Sequence, residues 1–222
     1  VAILQTSLLG GTALTAEQYA NADVTGDGAV DGLDLTRLRQ MAAVVPVSDA
    51  IAIHLSDSGI TVEGDTKGVT VVSGKTVTIS ASGSYTVDGS VTDGQILVNI
   101  PDTTADSDAV SLYLQDVTMT SSTGAPCILG QSAKKLKLTC SGENTLTDTA
   151  AEANADTSGV IYGDCDITVT KNSTGTLNIT SSMNTAIRSK DDIKLNGGAV
   201  VINTDVDDTS DADAIRANNT LE

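Results

Sequence analysis

The sequence predicts a mainly β protein: a right-handed parallel β-helix, or solenoid, preceded by a small α-helical segment of EF-hand type. Three observations carry that expectation. Short alternating strands punctuated by Gly, Asn, Asp and Ser run from about residue 47 onward. A segment around Ile161 recurs 26 residues later around Ile187, and again 28 residues after that around Ile215. Finally, the twelve-residue run from Asp23 to Asp34 sets oxygen-bearing side chains at the positions of a calcium loop. The expected division is 1–46 for the helical segment and 47–222 for the solenoid.

The chain opens with Val1, Leu4, Leu8 and Leu9 at helical spacing, stopped by Gly10 and Gly11. A second helical stretch starts at Thr15, with Gln18 at the spacing of a capping box. In the loop beyond it, Asp23, Thr25, Asp27, Asp31 and Asp34 occupy ligand positions 1, 3, 5, 9 and 12. The Ala29 carbonyl serves position 7, and Gly28 stands at position 6, where the chain must turn sharply around the ion. An acidic surface turn would leave unexplained why a glycine and four aspartates all land on ligand positions. Thr25 offers a neutral hydroxyl where Asp or Asn is usual, and Asp34 replaces the usual bidentate Glu. Asp34 also caps a helix that continues through Leu35, Leu38 and Met41 to just before Pro46.

Beyond Val47 the texture changes to alternating segments such as Thr76–Ile79, Gln95–Val98, Ser111–Leu114 and Lys135–Leu138. Such punctuation fits a sandwich, a barrel or a solenoid, and the repeat decides for the solenoid. Gly159–Val169 aligns with Thr185–Leu195, a third copy begins at Asp213, and a looser one starts at Pro126 and resumes at Lys135. Repeats of this size without a helical run fit turns stacked at the interstrand spacing, so Ile161, Ile187 and Ile215 should form one inward ladder. The third copy stops before its turn closes, so the solenoid is expected to be cut short at that end.

In that register Asp166 sits beneath Asp192, and Asp191 beneath Asn219. Two carboxylates roughly 5 Å apart repel by about 3 kcal/mol at an effective dielectric near 20, so a counter-charge is needed. Calcium, which accepts carboxylates in flexible geometry, is one candidate. A solvated acidic turn partnered by Lys190 and Lys194 is the other. Asp205, Asp207, Asp208, Asp211 and Asp213 form a second acidic cluster to which the same alternatives apply. Arg188 and Arg216 occupy equivalent places in successive copies, as site cations or as rungs of a structural charge ladder.

Composition narrows the function. A net charge of −17 over 222 residues argues against nucleic acid as a partner, and no run of residues is apolar enough to cross a membrane. The chain has no Trp and no Phe, so an aromatic sugar platform is not expected and the core must be aliphatic. Cys127, Cys140 and Cys165 are odd in number and irregular in spacing, which suits small buried residues better than disulfides or zinc. The single histidine, His54, follows an apolar run and reads as a packing or surface residue.

Asp34 followed by Leu35-Thr36-Arg37-Leu38-Arg39 resembles the dockerins of cellulosomes, and the match runs from about Thr15 to Ala43. Overlaying Val1–Leu4 on Leu35–Leu38 makes the chain resemble a dockerin cut after its first loop, with one complete calcium loop. The resemblance implies a cohesin domain of a scaffold protein as partner, met near Leu33, Arg37, Arg39 and Gln40. The runs Gly89–Val98, Asp116–Pro126, Gly142–Asp148 and Arg188–Ile193 resemble the carbohydrate-binding β-helix domains of clostridial-type surface and cellulosomal proteins. That family implies a polysaccharide-lyase-like fold, calcium on the solenoid with Asp191 and Asp192 among its ligands, and plant cell-wall polysaccharide as ligand, acidic pectin or cellulose.

The expectation is a secreted, cellulosome-associated or cell-surface module that binds polysaccharide through calcium at Asp166, Asp191 and Asp192. One alternative is a calcium-dependent pectate-type lyase with Arg188, Arg216 or Lys190 as base. Another is a spacer or adhesin without a glycan of its own.

Overall fold

The structure is a computed structural model that describes residues 15, 18–19, 22–23, 28–32, 34, 50–204 and 213–222. The chain divides into two compact units, Val1–Val45 and Pro46–Glu222.

In the first unit, Thr15 and Gln18 exchange hydrogen bonds: the Thr15 N–H donates to Gln18 Oε1 at 3.0 Å, and the Gln18 N–H donates to Thr15 Oγ1 at 3.2 Å. This is the reciprocal pattern of a capping box. Two main-chain bonds of helical spacing accompany it, Tyr19 N–H to Thr15 O and Asp23 N–H to Tyr19 O.

The second unit starts with two antiparallel hairpins, β1 (Ile51–Leu55) with β2 (Thr61–Glu63) and β3 (Thr70–Ser73) with β4 (Thr76–Ile79). Two long strands come next, β5 (Gly83–Thr92) and β7 (Val110–Ser121), with the short β6 (Gln95–Asn99) between them in sequence. Then come β8 (Ile128–Ser132), β9 (Lys135–Ser141) and β10 (Glu143–Asp148). The same triplet recurs as β11 (Gly159–Gly163), β12 (Asp166–Val169) and β13 (Thr176–Ser181), and as β14 (Thr185–Ser189), β15 (Ile193–Leu195) and β16 (Ala199–Thr204). The last strand is β17 (Ile215–Ala217).

These strands form two sheets in which, the hairpins apart, every described pairing is parallel. The seven-stranded sheet runs β17-β14-β11-β8-β6-β4-β3. The ten-stranded sheet forks at β7, whose first half pairs with β9 and whose second half pairs with β10. One branch continues through β12 to β15, the other through β13 to β16. The fork lies where the chain breaks between β9 and β10 at Gly142, which holds φ +63°. A Cβ there would stand 2.0 Å from Asp116 Oδ1, the atom that accepts the Glu143 N–H, so only glycine fits. Asn144, fully buried, accepts the Val117 N–H and donates to the carbonyls of Ser141 and Thr176, thereby tying three successive strands together at the break.

The expected right-handed parallel β-helix preceded by an α-helical EF-hand segment is corrected on both counts. Both sheets are open: the seven-stranded one ends at β3 and β17, the main path of the other at β15 and β16, and both begin in antiparallel hairpins rather than repeating turns. A helix needs a continuous ladder of i to i−4 bonds. The described residues of the first unit carry two such bonds and only scattered helical positions, Gln18, Tyr19, Ala22, Gly32 and Asp34, with no continuous helix element among them.

Between the sheets the inward residues stack rung on rung. One ladder runs Ile96–Ile128–Ile161–Ile187–Ile215, and another Val110–Leu136–Ile167–Ile193. On the other branch Met119, Leu146, Ile179 and Ile202 pair in sequence. Ile96, Ile128, Ile161 and Ile187 are wholly buried, and burying each such side chain contributes roughly 1.5–3 kcal/mol. All three cysteines are buried free thiols, and burial pushes each up to about 12, so they stay protonated and unreactive at neutral pH.

Candidate functional site

The two turns that carry the chain from the seven-stranded to the ten-stranded sheet, β11 to β12 and β14 to β15, lie side by side because their flanking strands are in register. Pairing Ile167 with Ile193 sets Asp166 beside Asp192, and pairing Ile167 with Leu136 sets Lys135 on the other side of Asp166. Asp191 joins them. Oxygens of Asp166, Asp191 and Asp192 all lie within 4.8 Å of one another, and all three residues are half-buried.

The bonds around this trio hold it in place without neutralising it. The Thr220 N–H donates to Asp192 Oδ1 at 3.0 Å, and Asn219 Nδ2 donates to Asp191 Oδ1. The Ser189 hydroxyl locks both turns, donating to the Cys165 carbonyl at 2.8 Å and accepting the Asp191 N–H at 2.9 Å. Lys135 Nζ stands 3.3 Å from Asp166 Oδ2, while Lys194, the next lysine along, is bound to Glu222 at 2.8 Å. Three carboxylates thus face one directly paired ammonium, a deficit of two positive charges. The donors are all oxygen and carboxylate-rich, which fits a hard divalent cation, and calcium accepts such an irregular set more readily than magnesium does.

A basic group flanks the trio on the outer face of the seven-stranded sheet. Tyr162, Arg188 and Arg216 are successive rungs of one column. The Arg188 guanidinium and the Lys190 ammonium each lie 5.8 Å from the centre of the buried Tyr162 ring, within cation–π range. Lys190 is also paired with Asp164 at 2.8 Å, and that bond, with Tyr162 beside it, raises its pKa. Arg216 has only a distant contact with Asp213, at 3.9 Å. Arg188 makes no ion pair among the described residues, and its buried Nε has no hydrogen-bond partner. This cation is poised for an oxygen acceptor.

The structure therefore brings Asp166, Asp191 and Asp192 together and puts Arg188 and Arg216 in register, with Lys190 engaged by Asp164. Sequence reasoning missed Lys135 and Tyr162 as members of the group. The looser copy beginning at Pro126 carried the signal for Lys135, since it places that residue over Asp166. In the other expected calcium loop, the Gly28 N–H donates to Asp23 Oδ2 at 2.9 Å with Gly28 at φ +83°, and the Asp31 N–H donates to buried Asp34 Oδ2 at 2.9 Å. Ala29 and Asp31 are exposed. Thr25 and Asp27, the expected cohesin contacts Leu33, Arg37, Arg39 and Gln40, and Asp205, Asp207, Asp208 and Asp211 lie outside the described residues. His54 Nδ1 lies 2.8 Å from Asp88 Oδ1 across β1 and β5.

Three comparisons bear on this geometry. The chain is 33% identical over 137 residues to a carbohydrate-binding domain-containing protein of Acetivibrio thermocellus, a match covering 59% of this chain and 46% of that one. The chain thus spans about half the length of that relative. In fold it is similar to a polysaccharide lyase-like protein from C. thermocellum, solved as a gadolinium derivative, with a TM-score of 0.50 at 21% identity over 78% of this chain and 81% of the other. The family model for carbohydrate-binding domain-containing proteins matches residues 73–222, a span that holds both branches of the fork and both turns of the site, and the chain belongs to that family.

Proposed function

We propose that this protein binds a plant cell-wall polysaccharide of acidic type through a calcium ion held by Asp166, Asp191 and Asp192. The observation that carries the reading is the three-carboxylate cluster with a single paired ammonium. A divalent cation offsets that deficit and keeps coordination positions for ligand oxygens, so it bridges an acidic protein to a uronate chain that would otherwise be repelled. Arg188, Arg216 and Lys190 then take further carboxylates along the same chain, Arg188 with its free Nε foremost. Family membership supports the carbohydrate.

The Asp23–Asp34 loop is proposed as a second calcium site, supported by the left-handed Gly28 and by the bonds within the loop. Leu33, Arg37, Arg39 and Gln40 are proposed to meet a cohesin, which would place the module in a secreted, cellulosome-associated or cell-surface setting.

Retention on immobilised polygalacturonate, in calcium and then in a chelator, tests the first reading while ultraviolet absorbance reports unsaturated products. Calcium-dependent retention with flat absorbance is expected. Absorbance that rises and is lost in Arg188→Ala would replace binding by lyase chemistry. Retention unaffected by the chelator would remove the cation from the account.

A further inference from the structure

Among the described residues the ammonium of Lys135 is the positive charge paired directly with the carboxylate trio, and it is held loosely. Its Nζ stands 3.3 Å from Asp166 Oδ2, whereas Lys75, Lys190 and Lys194 each close on their own carboxylates at 2.8 Å. Asp166 is also claimed from the other side. Its Oδ1 faces the Asp192 N–H at 3.4 Å, and one of its oxygens lies within 4.8 Å of oxygens of Asp191 and Asp192. An ammonium offsets one of the three negative charges. A divalent cation offsets two and draws on the same oxygens, and two positive groups at one carboxylate repel each other. Lys135 therefore has to give way when such a cation is bound. Its side chain is 35% exposed, so its flexible four-carbon stem can turn outward while the buried Leu136 beside it stays in place.

The outer face of β9 sets what it meets there. Burial alternates along the strand, with Leu136 and Leu138 inward and Lys135 and Lys137 on the opposite face, so the two lysines are neighbours roughly 6.6 Å apart. Lys137 pairs in register with Ser111 on one side and Thr168 on the other, and it makes no ion pair among the described residues. Lys194, on the next rung beyond Thr168, is engaged by Glu222. A released Lys135 thus joins an unpaired ammonium flanked by neutral hydroxyls, and two ammonium groups on one face suit a carboxylate.

We propose that Lys135 is a displaceable internal counter-ion: it holds Asp166 when no divalent cation is bound, and with the cation bound it turns to Lys137 and takes a carboxylate of the polyanion. The proposal rests on the cation site at Asp166, Asp191 and Asp192. It makes Lys135 a competitor for that site and, at the same time, a contact for the ligand, so that cation occupancy and anion binding are coupled through one side chain.

The test is calorimetric titration of the full chain with calcium, together with melting in calcium and in chelator and retention on polygalacturonate at saturating calcium. In Lys135→Met, calcium should bind about tenfold more tightly, melting in chelator should fall, and retention should weaken several-fold. Lys135→Arg, which keeps the charge, should stay near the parent in all three. These opposite signs are the signature, because a merely structural loss would lower melting in both buffers and weaken calcium as well. Calcium affinity in Lys135→Met equal to or below the parent's overturns the competitor role, and retention that is unchanged or rises with calcium affinity overturns the ligand contact. A parent that takes up no calcium would remove the cation site itself and this inference with it.

Discussion

The inward ladders and the turns between the sheets obey opposite rules. Inside, the chain stacks like on like, Ile161 on Ile187 on Ile215, and every rung adds to the one below. At the turns the same register stacks Asp166 on Asp192, and like on like is a liability that Lys135 offsets in part. One register thus produces a core whose rungs reinforce one another and a corner whose carboxylates repel one another.

The sharpest way to break the interior half of that contrast is Ile161→Ala. It removes a wholly buried side chain from the middle of a ladder and should cost about 4 kcal/mol, read by urea unfolding. Asn144→Ala strands the Val117 N–H and the carbonyls of Ser141 and Thr176 inside the fork. A loss of about 3 kcal/mol is expected from the same measurement, with faster hydrogen exchange at Val117. The corner should behave in the other sense. Asp192→Asn is expected to leave stability without metal unchanged or raised by up to about 1 kcal/mol, and to abolish the rise in melting temperature that calcium gives the parent.

The smallest effect belongs to Asp65. Burial pushes its carboxyl up, but hydrogen bonds from Thr70 Oγ1 and the N–H groups of Val69, Thr70 and Lys67 outweigh burial and hold it down at about 2. A depressed folded value contributes stability that is fully present above the unfolded value near 4 and is lost as pH falls through about 2. Asp65→Asn should flatten that part of the stability curve and leave the profile above pH 5 parallel to the parent's.

How far the sequence could be read depends on the same contrast. The repeat from Gly159 to Leu195 exposed the strand register, and with it the isoleucine ladder and the Asp166–Asp192 pair, because stacked inward positions all take an aliphatic residue and so recur at matching places in successive copies. The fork was not legible. Its determinants are single residues, Gly142 with its positive φ and Asn144 with three partners, and neither has a periodicity to announce it. The opening hairpins escaped as well, since Thr61–Glu63 and Thr70–Ser73 alternate as any strand does and nothing in alternation distinguishes antiparallel from parallel partners. The expected helical segment is a different case: a capping-box spacing specifies how a helix would start, and Thr15 and Gln18 do make the box, but a start does not fix how many turns a helix runs. Tyr162 was passed over because an aromatic residue alternating outward on a strand reads as exposed. It is Arg188 and Lys190 that lie over its ring.

The twelve-residue strand β7 has a kinetic consequence. It is the shared pairing partner of β9 and β10, and through them of every later strand of that sheet, so both branches grow from the edge that β7 presents. Folding should then be vectorial. Each new triplet is laid on a finished edge, in the order in which a ribosome delivers the chain, and a defect in β7 would stall both branches at their shared root rather than weaken one.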